Sequence, residues 1–264
     1  MKICCLGSGN IGSALMKGIA KQVGPENIGF SDTDKAKAKA AAALVGGMVY
    51  DSNLQAVEQS DLIFLAVKPQ ILKTVLEEIA PVLKKKPATL VSIAAGWPIA
   101  KIQECLGVKV PLLRIMPNTP VLISRGLITI TASAELPEKD LAELERILSG
   151  AGMVDRMDEN YMDSVTGLSG SGPAFVYVFI EALADGGVRV GLPRDKALVY
   201  AAQTVMGAAA MAVESGKHLG ALKDMVTSPG GTAIAGIAAL ENGAFRAAAI
   251  NAVEAAWRRA MELS

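Results

Sequence analysis

A chain of 264 residues with 51% hydrophobic composition has enough apolar material to bury the core of one large domain or two ordinary ones. Its 26 basic residues balance 26 acidic ones and no dense Lys/Arg stripe appears, which removes the electrostatic footprint of a nucleic-acid binder and leaves small molecules or further copies of the chain as partners. Three cysteines, Cys4 and Cys5 adjacent and Cys105 alone, suit neither a disulfide framework nor a metal site, so no metal is expected and a reducing, cytoplasmic setting fits best.

Met1 and Lys2 run straight into a strand-like segment without a signal-peptide core, and the longest clean apolar runs fall far short of the roughly 20 residues of a membrane helix. No membrane association is expected. Short apolar runs at 2–6, 27–31, 48–50, 61–67, 89–93 and 110–115 read as strands, with helical stretches between them. That alternation means a parallel sheet with crossover helices. The run from Asp61 to Val67 is continuous in polarity, as expected of a strand covered on both faces near the sheet centre. One more strand is expected at 127–131 and a helix at 137–148, after which strands stop near Val154.

From Asp158 onward the chain reads as helices broken by Gly and Pro. Ser171-Gly172-Pro173 starts one, Gly191-Leu192-Pro193 separates it from the next, and Gly216 ends that one. The stretch Ala174 to Ile180 is apolar almost all round and must be covered on every side. A second subunit buries such helices more easily than their own chain does, which predicts an intertwined homodimer. The fold class is therefore α/β: a Rossmann-type doubly wound sheet over residues 1–157, then an all-helical dimerisation and substrate domain over 158–264.

Gly7-Ser8-Gly9-Asn10-Ile11-Gly12 follows the first strand and opens a helix, the context in which G-x-G-x-x-G marks a dinucleotide site. Each glycine answers a geometric demand: a tight turn, close approach to a pyrophosphate, and close packing of helix on strand. Helix N–H groups from Asn10 onward then face the phosphates. Asp32 stands where a second-strand carboxylate bonds the adenosine ribose, or else caps a turn. Ser31, Thr33 and Lys35 beside it suit a phosphate if Asp32 points away, so NADH and NADPH both stay open.

Four further segments are Ala66-Val67-Lys68-Pro69, Met116-Pro117-Asn118-Thr119-Pro120, Leu168-Ser169-Gly170-Ser171-Gly172-Pro173-Ala174 and Ser228-Pro229-Gly230-Gly231-Thr232. With the glycine loop, and in this order, they resemble the pyrroline-5-carboxylate reductase family from Lys2 to the C-terminal helix. The resemblance implies hydride transfer from NADH or NADPH to a cyclic imine, 1-pyrroline-5-carboxylate, giving L-proline. It places the nicotinamide near Ile93, Ala94 and Ala95, and the substrate carboxylate on the amides of Gly230, Gly231 and Thr232. Asn53 is counted with the cofactor set, and dimers assembling into a decamer are implied.

The residues themselves leave choices open. Lys68 lies beside a cofactor or substrate carboxylate, or is a solvated strand end; Asn118 bonds the cofactor amide or braces its turn. Ser169, Gly170 and Ser171 form an anion site or cap the helix at Pro173. Many family members carry a second threonine where this chain has Ala233, so Thr232, backbone amides or water would replace its hydrogen bond. Thr232 and Lys68 are the catalytic candidates; the only histidine, His218, reads as a surface residue. Among rivals, a β-hydroxyacid dehydrogenase needs a lysine on the helix after the junction, and 175–183 has none. A reductase of another cyclic imine and a non-catalytic nicotinamide sensor are the remaining alternatives.

Overall fold

A computed structural model describes residues 1–263. Its central feature is an eight-stranded sheet in the order β3-β2-β1-β4-β5-β6-β7-β8. The strands are β1 (Ile3–Leu6), β2 (Ile28–Ser31), β3 (Met48–Val49), β4 (Leu62–Leu65), β5 (Thr89–Ser92), β6 (Leu112–Pro117), β7 (Gly126–Ala132) and β8 (Gly152–Arg156). Strands β1 to β6 run parallel, and the order reverses between β1 and β4, the switch point at which doubly wound sheets collect ligands.

Alternate strand residues point to opposite layers, which explains the continuous apolar runs. From β4, Leu62 and Phe64 pack with α1 (Asn10–Val23), α2 (Lys35–Val45) and α6 (Glu138–Leu148). Ile63 and Leu65 face the other way, onto α3 (Asn53–Glu58), α4 (Pro69–Lys85) and α5 (Ile99–Leu106). All four residues of β4 are buried, as expected of a central strand.

The sheet departs from the all-parallel expectation at one pair. β7 runs antiparallel to β6, with Leu113 opposite Ala132 and Pro117 opposite Ile128. The link between them holds only the short 3-10 turn Thr119–Ile123, too little chain for a crossover, so the strand must fold straight back. The longer link through α6 then permits β8 to lie parallel to β7, an edge strand that the polarity pattern alone did not announce.

Two compact units emerge: Met1–Ser171 with the C-terminal segment from Ala256, and Gly172–Ala255. Residues 158–171 thus pack with the sheet, whereas the expected domain boundary lay after 157. A polar clasp accounts for part of this. Glu159 Oε1 accepts from the Ile99 amide at 2.8 Å and from Arg114 Nη1 at 3.0 Å, fastening the chain after β8 to the start of α5 and to β6. Gly167 also lies so close to Trp257 that a Cβ there would sit 2.9 Å from its amide nitrogen.

The second unit holds α8 (Gly172–Arg189), α9 (Arg194–Glu214), α10 (Leu219–Met225), α11 (Thr232–Asn242) and the first part of α12 (Phe245–Leu263). Its own apolar cluster is only Ala184, Ala197 and Ala201, with Ile180 and Val188 against it. Val178, Val199, Met206 and Val213 are exposed. The run Glu159–Arg189 and the helix Arg194–Glu214 are long and apolar enough, by length and composition, to cross a membrane. The reading of short apolar runs is corrected here: small and polar residues interrupt the large side chains, yet alanine, valine, leucine and isoleucine keep the mean hydropathy of each whole helix high.

Candidate active site

The glycine loop is built by close approach to β4. Gly7 has φ +98°, a conformation that L side chains rarely adopt, and a Cβ on it would lie 2.6 Å from the Ala66 carbonyl oxygen. A Cβ on Gly12 would meet the Ala66 Cβ at 2.8 Å. Gly9 differs, because an added Cβ would find nothing within 4 Å. Gly9 caps α1 with extended backbone and no side-chain acceptor for the first helical N–H groups, which therefore stay available to an anion. Asn10 and Ile11 form the first turn. A groove of about 360 Å³ borders this loop, lined among others by Ser8, Asn10, Ser13, Lys17 and Lys37, which puts two ammonium groups beside it.

At the end of β2, Asp32 both ties the loop and caps a turn. Its Oδ2 accepts from the Ser8 amide at 2.7 Å and its Oδ1 from the Asp34 amide at 2.9 Å. Ser31 Oγ donates to Asn53 Oδ1 at 2.8 Å, and Asn53 Nδ2 donates to Glu78 Oε2 at 2.8 Å. Lys35 is turned toward main-chain carbonyls, donating to Asp51 O at 2.6 Å and Tyr50 O at 3.4 Å. Hydrogen bonds to Ala36 and Lys37 amides, and Lys37 itself, hold the Asp34 carboxyl below the usual carboxylate range.

Around the other half of the cleft, Ala66 N donates to Leu6 O at 2.8 Å, so the segment Ala66-Val67-Lys68-Pro69 leaves β4 beside the glycine loop. Lys68 is the N-cap residue of α4, with Pro69 in its first turn. The Lys68 ammonium has no hydrogen bond or ion pair to any described residue. After β5, Ile93 N donates to Leu65 O at 3.3 Å, Ala94 is buried, and Ala95 precedes Gly96. Sequence reasoning passed over Trp97, whose indole N–H donates to Pro69 O at 3.1 Å and so links the loops after β4 and β5. An unusual tryptophan next to a strand end in an aromatic-poor chain was the available signal.

Asn118 is engaged on both sides of its amide. Its Oδ1 accepts from Leu127 N at 2.9 Å, which braces the turn after β6, and its Nδ2 reaches Ser169 Oγ at 3.2 Å and Ser169 O at 3.3 Å. Two of the sequence motifs therefore touch. α8 starts at Gly172 with Pro173 in its first turn, as the sequence suggested, but the segment ahead of it is already helical. α7 (Met162–Val165) passes into a π-helical turn over Thr166–Gly170 and on to α8, with Ser171 N donating to Thr166 O at 2.9 Å. Ser171 Oγ donates to the same carbonyl at 3.1 Å. Small residues at Gly167, Gly170 and Gly172 permit the wider turn, a feature that recurs at functional sites.

The remaining motif belongs to the second unit. Gly230 has φ +70°, and Gly231 N donates back to Ser228 O at 3.0 Å, closing a turn ahead of α11. Gly231 is the N-cap and supplies no side chain, so the amides of Thr232 and Ala233 start the helix without a side-chain acceptor. His218 caps α10, its Nδ1 accepting from Gly220 N at 3.1 Å.

Residues 159–263 match the family model described as pyrroline-5-carboxylate reductase dimerisation, and residues 2–96 match one described as NADP oxidoreductase coenzyme F420-dependent. A pyrroline-5-carboxylate reductase of Methanosarcina acetivorans is 45% identical over 264 residues, covering 99% of this chain and 97% of the relative. Among solved structures, a pyrroline-5-carboxylate reductase from Coxiella burnetii superposes with a TM-score of 0.92 at 33% identity, over 100% of this chain and 98% of that one. The Plasmodium falciparum pyrroline carboxylate reductase with NADP bound gives 0.87 at 33% identity and the same coverage.

The double engagement of Asn118 generates a stability test. Asn118→Ala leaves the Leu127 amide without its acceptor and frees Ser169, so urea unfolding should show a loss of about 2 kcal/mol. An unchanged midpoint would contradict the bracing role.

Proposed function

This chain belongs to the pyrroline-5-carboxylate reductase family and reduces 1-pyrroline-5-carboxylate to L-proline in proline biosynthesis with NAD(P)H; from that premise we propose which of its residues do the work. The reading is carried by the glycine loop seated on Ala66, with open space at Gly9 and uncapped N–H groups at the start of α1. Those features fit a dinucleotide pyrophosphate, and the buried Ser8 hydroxyl, which has no partner within the protein, lies in the same loop. Ser31, Asp32 and Asn53 serve the adenosine end, and Ala66 to Pro69, Ile93, Ala94, Ala95 and Asn118 the nicotinamide end.

When bound, the reduced cofactor supplies a hydride to the imine carbon. The protein's contribution is positioning and electrostatics in a water-poor cleft. Trp97 and the Asn118–Ser169 contact fix the loops that border the nicotinamide end. Lys68, free of protein partners, places a positive charge there for a substrate carboxylate or a ribose hydroxyl. The amides of Gly230, Thr232 and Ala233 around the start of α11 hold a carboxylate, the Gly231 amide of the expected set being given to Ser228 O, with Ser169, Gly170 and Ser171 as further substrate contacts. Since Ala233 carries no hydroxyl, the proton for the ring nitrogen comes from Thr232 or from water. An imine protonated in solution is already electrophilic, so the site does not depend on a strong general acid.

The family model over 159–263 supports self-association through the helical unit, and the exposed apolar residues of α8 and α9 are its contact surface in this proposal. A second copy covers them. Assembly of dimers into a decamer and a cytoplasmic setting, in keeping with three free thiols, belong to the same proposal.

Two measurements test it. Purified protein mixed with pyrroline-5-carboxylate should consume NADH or NADPH absorbance, and more slowly with the six-membered analogue; no oxidation with either donor would contradict the assignment. Light scattering should return at least twice the chain mass of 27.4 kDa, and a monomer would contradict the covered-helix account.

A further inference from the structure

We infer that Asp32 sets the cofactor preference of this chain in favour of NADH, by excluding the 2′-phosphate of NADPH from the end of β2. The inference rests on the cofactor reading above and narrows it. In a doubly wound dinucleotide fold the adenosine ribose reaches the end of the second strand, where a carboxylate bonds the 2′-hydroxyl or an arginine accommodates the 2′-phosphate.

Asp32 is the first residue after β2, and two main-chain N–H groups hold its carboxylate in place, from Ser8 at 2.7 Å and Asp34 at 2.9 Å. Each carboxylate oxygen keeps a further lone pair for a ribose hydroxyl, which can donate. A phosphate dianion has no proton to offer and is repelled.

The groups that would welcome a phosphate are already committed. Ser31 donates its only hydroxyl proton to Asn53 Oδ1. Lys35 is bonded to the carbonyls of Tyr50 and Asp51. Lys37 lies 3.5 Å from the Asp34 carboxylate, a second negative group beside the same turn. No arginine precedes Arg114 in the chain, and Arg114 is buried against Glu159. Thr33 offers one exposed neutral hydroxyl, and Lys17 stands about 10 Å along α1 from Asn10. A 2′-phosphate would therefore face Asp32, with Lys37, paired at the exposed surface to Asp34, as the one ammonium group of that turn not bonded to main-chain carbonyls.

Equilibrium fluorescence titration of the full chain with NADH and with NADPH, without substrate, tests this directly. NADH should bind at least about tenfold more tightly. Asp32→Asn keeps an acceptor for the Ser8 amide while removing the charge, and should bring the ratio toward one by strengthening NADPH binding. NADPH binding as tight as NADH in the unsubstituted protein, or an unchanged ratio in folded Asp32→Asn, would overturn the inference. If the variant does not fold, competition of ADP against 2′,5′-ADP on the unsubstituted protein decides it, with ADP expected to win. Failure of both dinucleotides to bind would overturn the cofactor reading itself, and this inference with it.

Discussion

Contact of two glycines with one alanine underlies the rest of the first unit. Gly7 and Gly12 both approach Ala66 more closely than any side chain permits, and this sets α1 directly over the end of β4. Ala66 in turn opens the segment Ala66-Val67-Lys68-Pro69, so the glycine loop and the start of α4 share a single contact. Gly7 N also donates to Ser31 O at 2.8 Å, bringing the end of β2 into the same arrangement. The switch point of the sheet is thus a close-packed joint with open space at Gly9.

Around that joint, polar contacts span long sequence distances. Asn118 reaches Ser169, Trp97 reaches Pro69, and Glu159 collects both Ile99 and Arg114. Arg114 is 3% exposed and its Nε has no protein partner, so the clasp leaves one buried donor unsatisfied. Its value lies in fixing where α5 and the chain after β8 begin. The helical unit follows a different logic. It lacks a sizeable core of its own and presents valine, methionine and tyrosine outward, as expected of helices whose apolar faces are completed by another surface.

Much of this was legible in the sequence, for identifiable reasons. A strand buried on both faces shows its continuous polarity, as β4 does, and a glycine loop between strand and helix shows its spacing. Strand direction does not register in periodicity, so the reversal at β7 was missed although the short 118–125 link contains the information. The helix start at Ser171-Gly172-Pro173 was legible from Pro, whereas the π-helical turn at 166–170 ahead of it was not; there Gly167 lies close against Trp257. Asp32 was left between ribose binding and turn capping; the structure shows the turn cap, together with a tie to the Ser8 amide that the sequence did not announce. Contacts such as Trp97 to Pro69 depend on tertiary placement, which local patterns of polarity and spacing do not show.

Whether the glycine loop is a ligand seat or only a tight turn is the central question, and Gly9 separates the two. Its backbone lies at φ −70° and ψ 172°, open to any residue, and a Cβ there meets no protein atom within 4 Å. Gly9→Ala should therefore keep the thermal unfolding midpoint while weakening dinucleotide binding by about tenfold or more, because the methyl group occupies the approach of the pyrophosphate. Unchanged dinucleotide affinity in this variant, measured by equilibrium titration, would contradict the account.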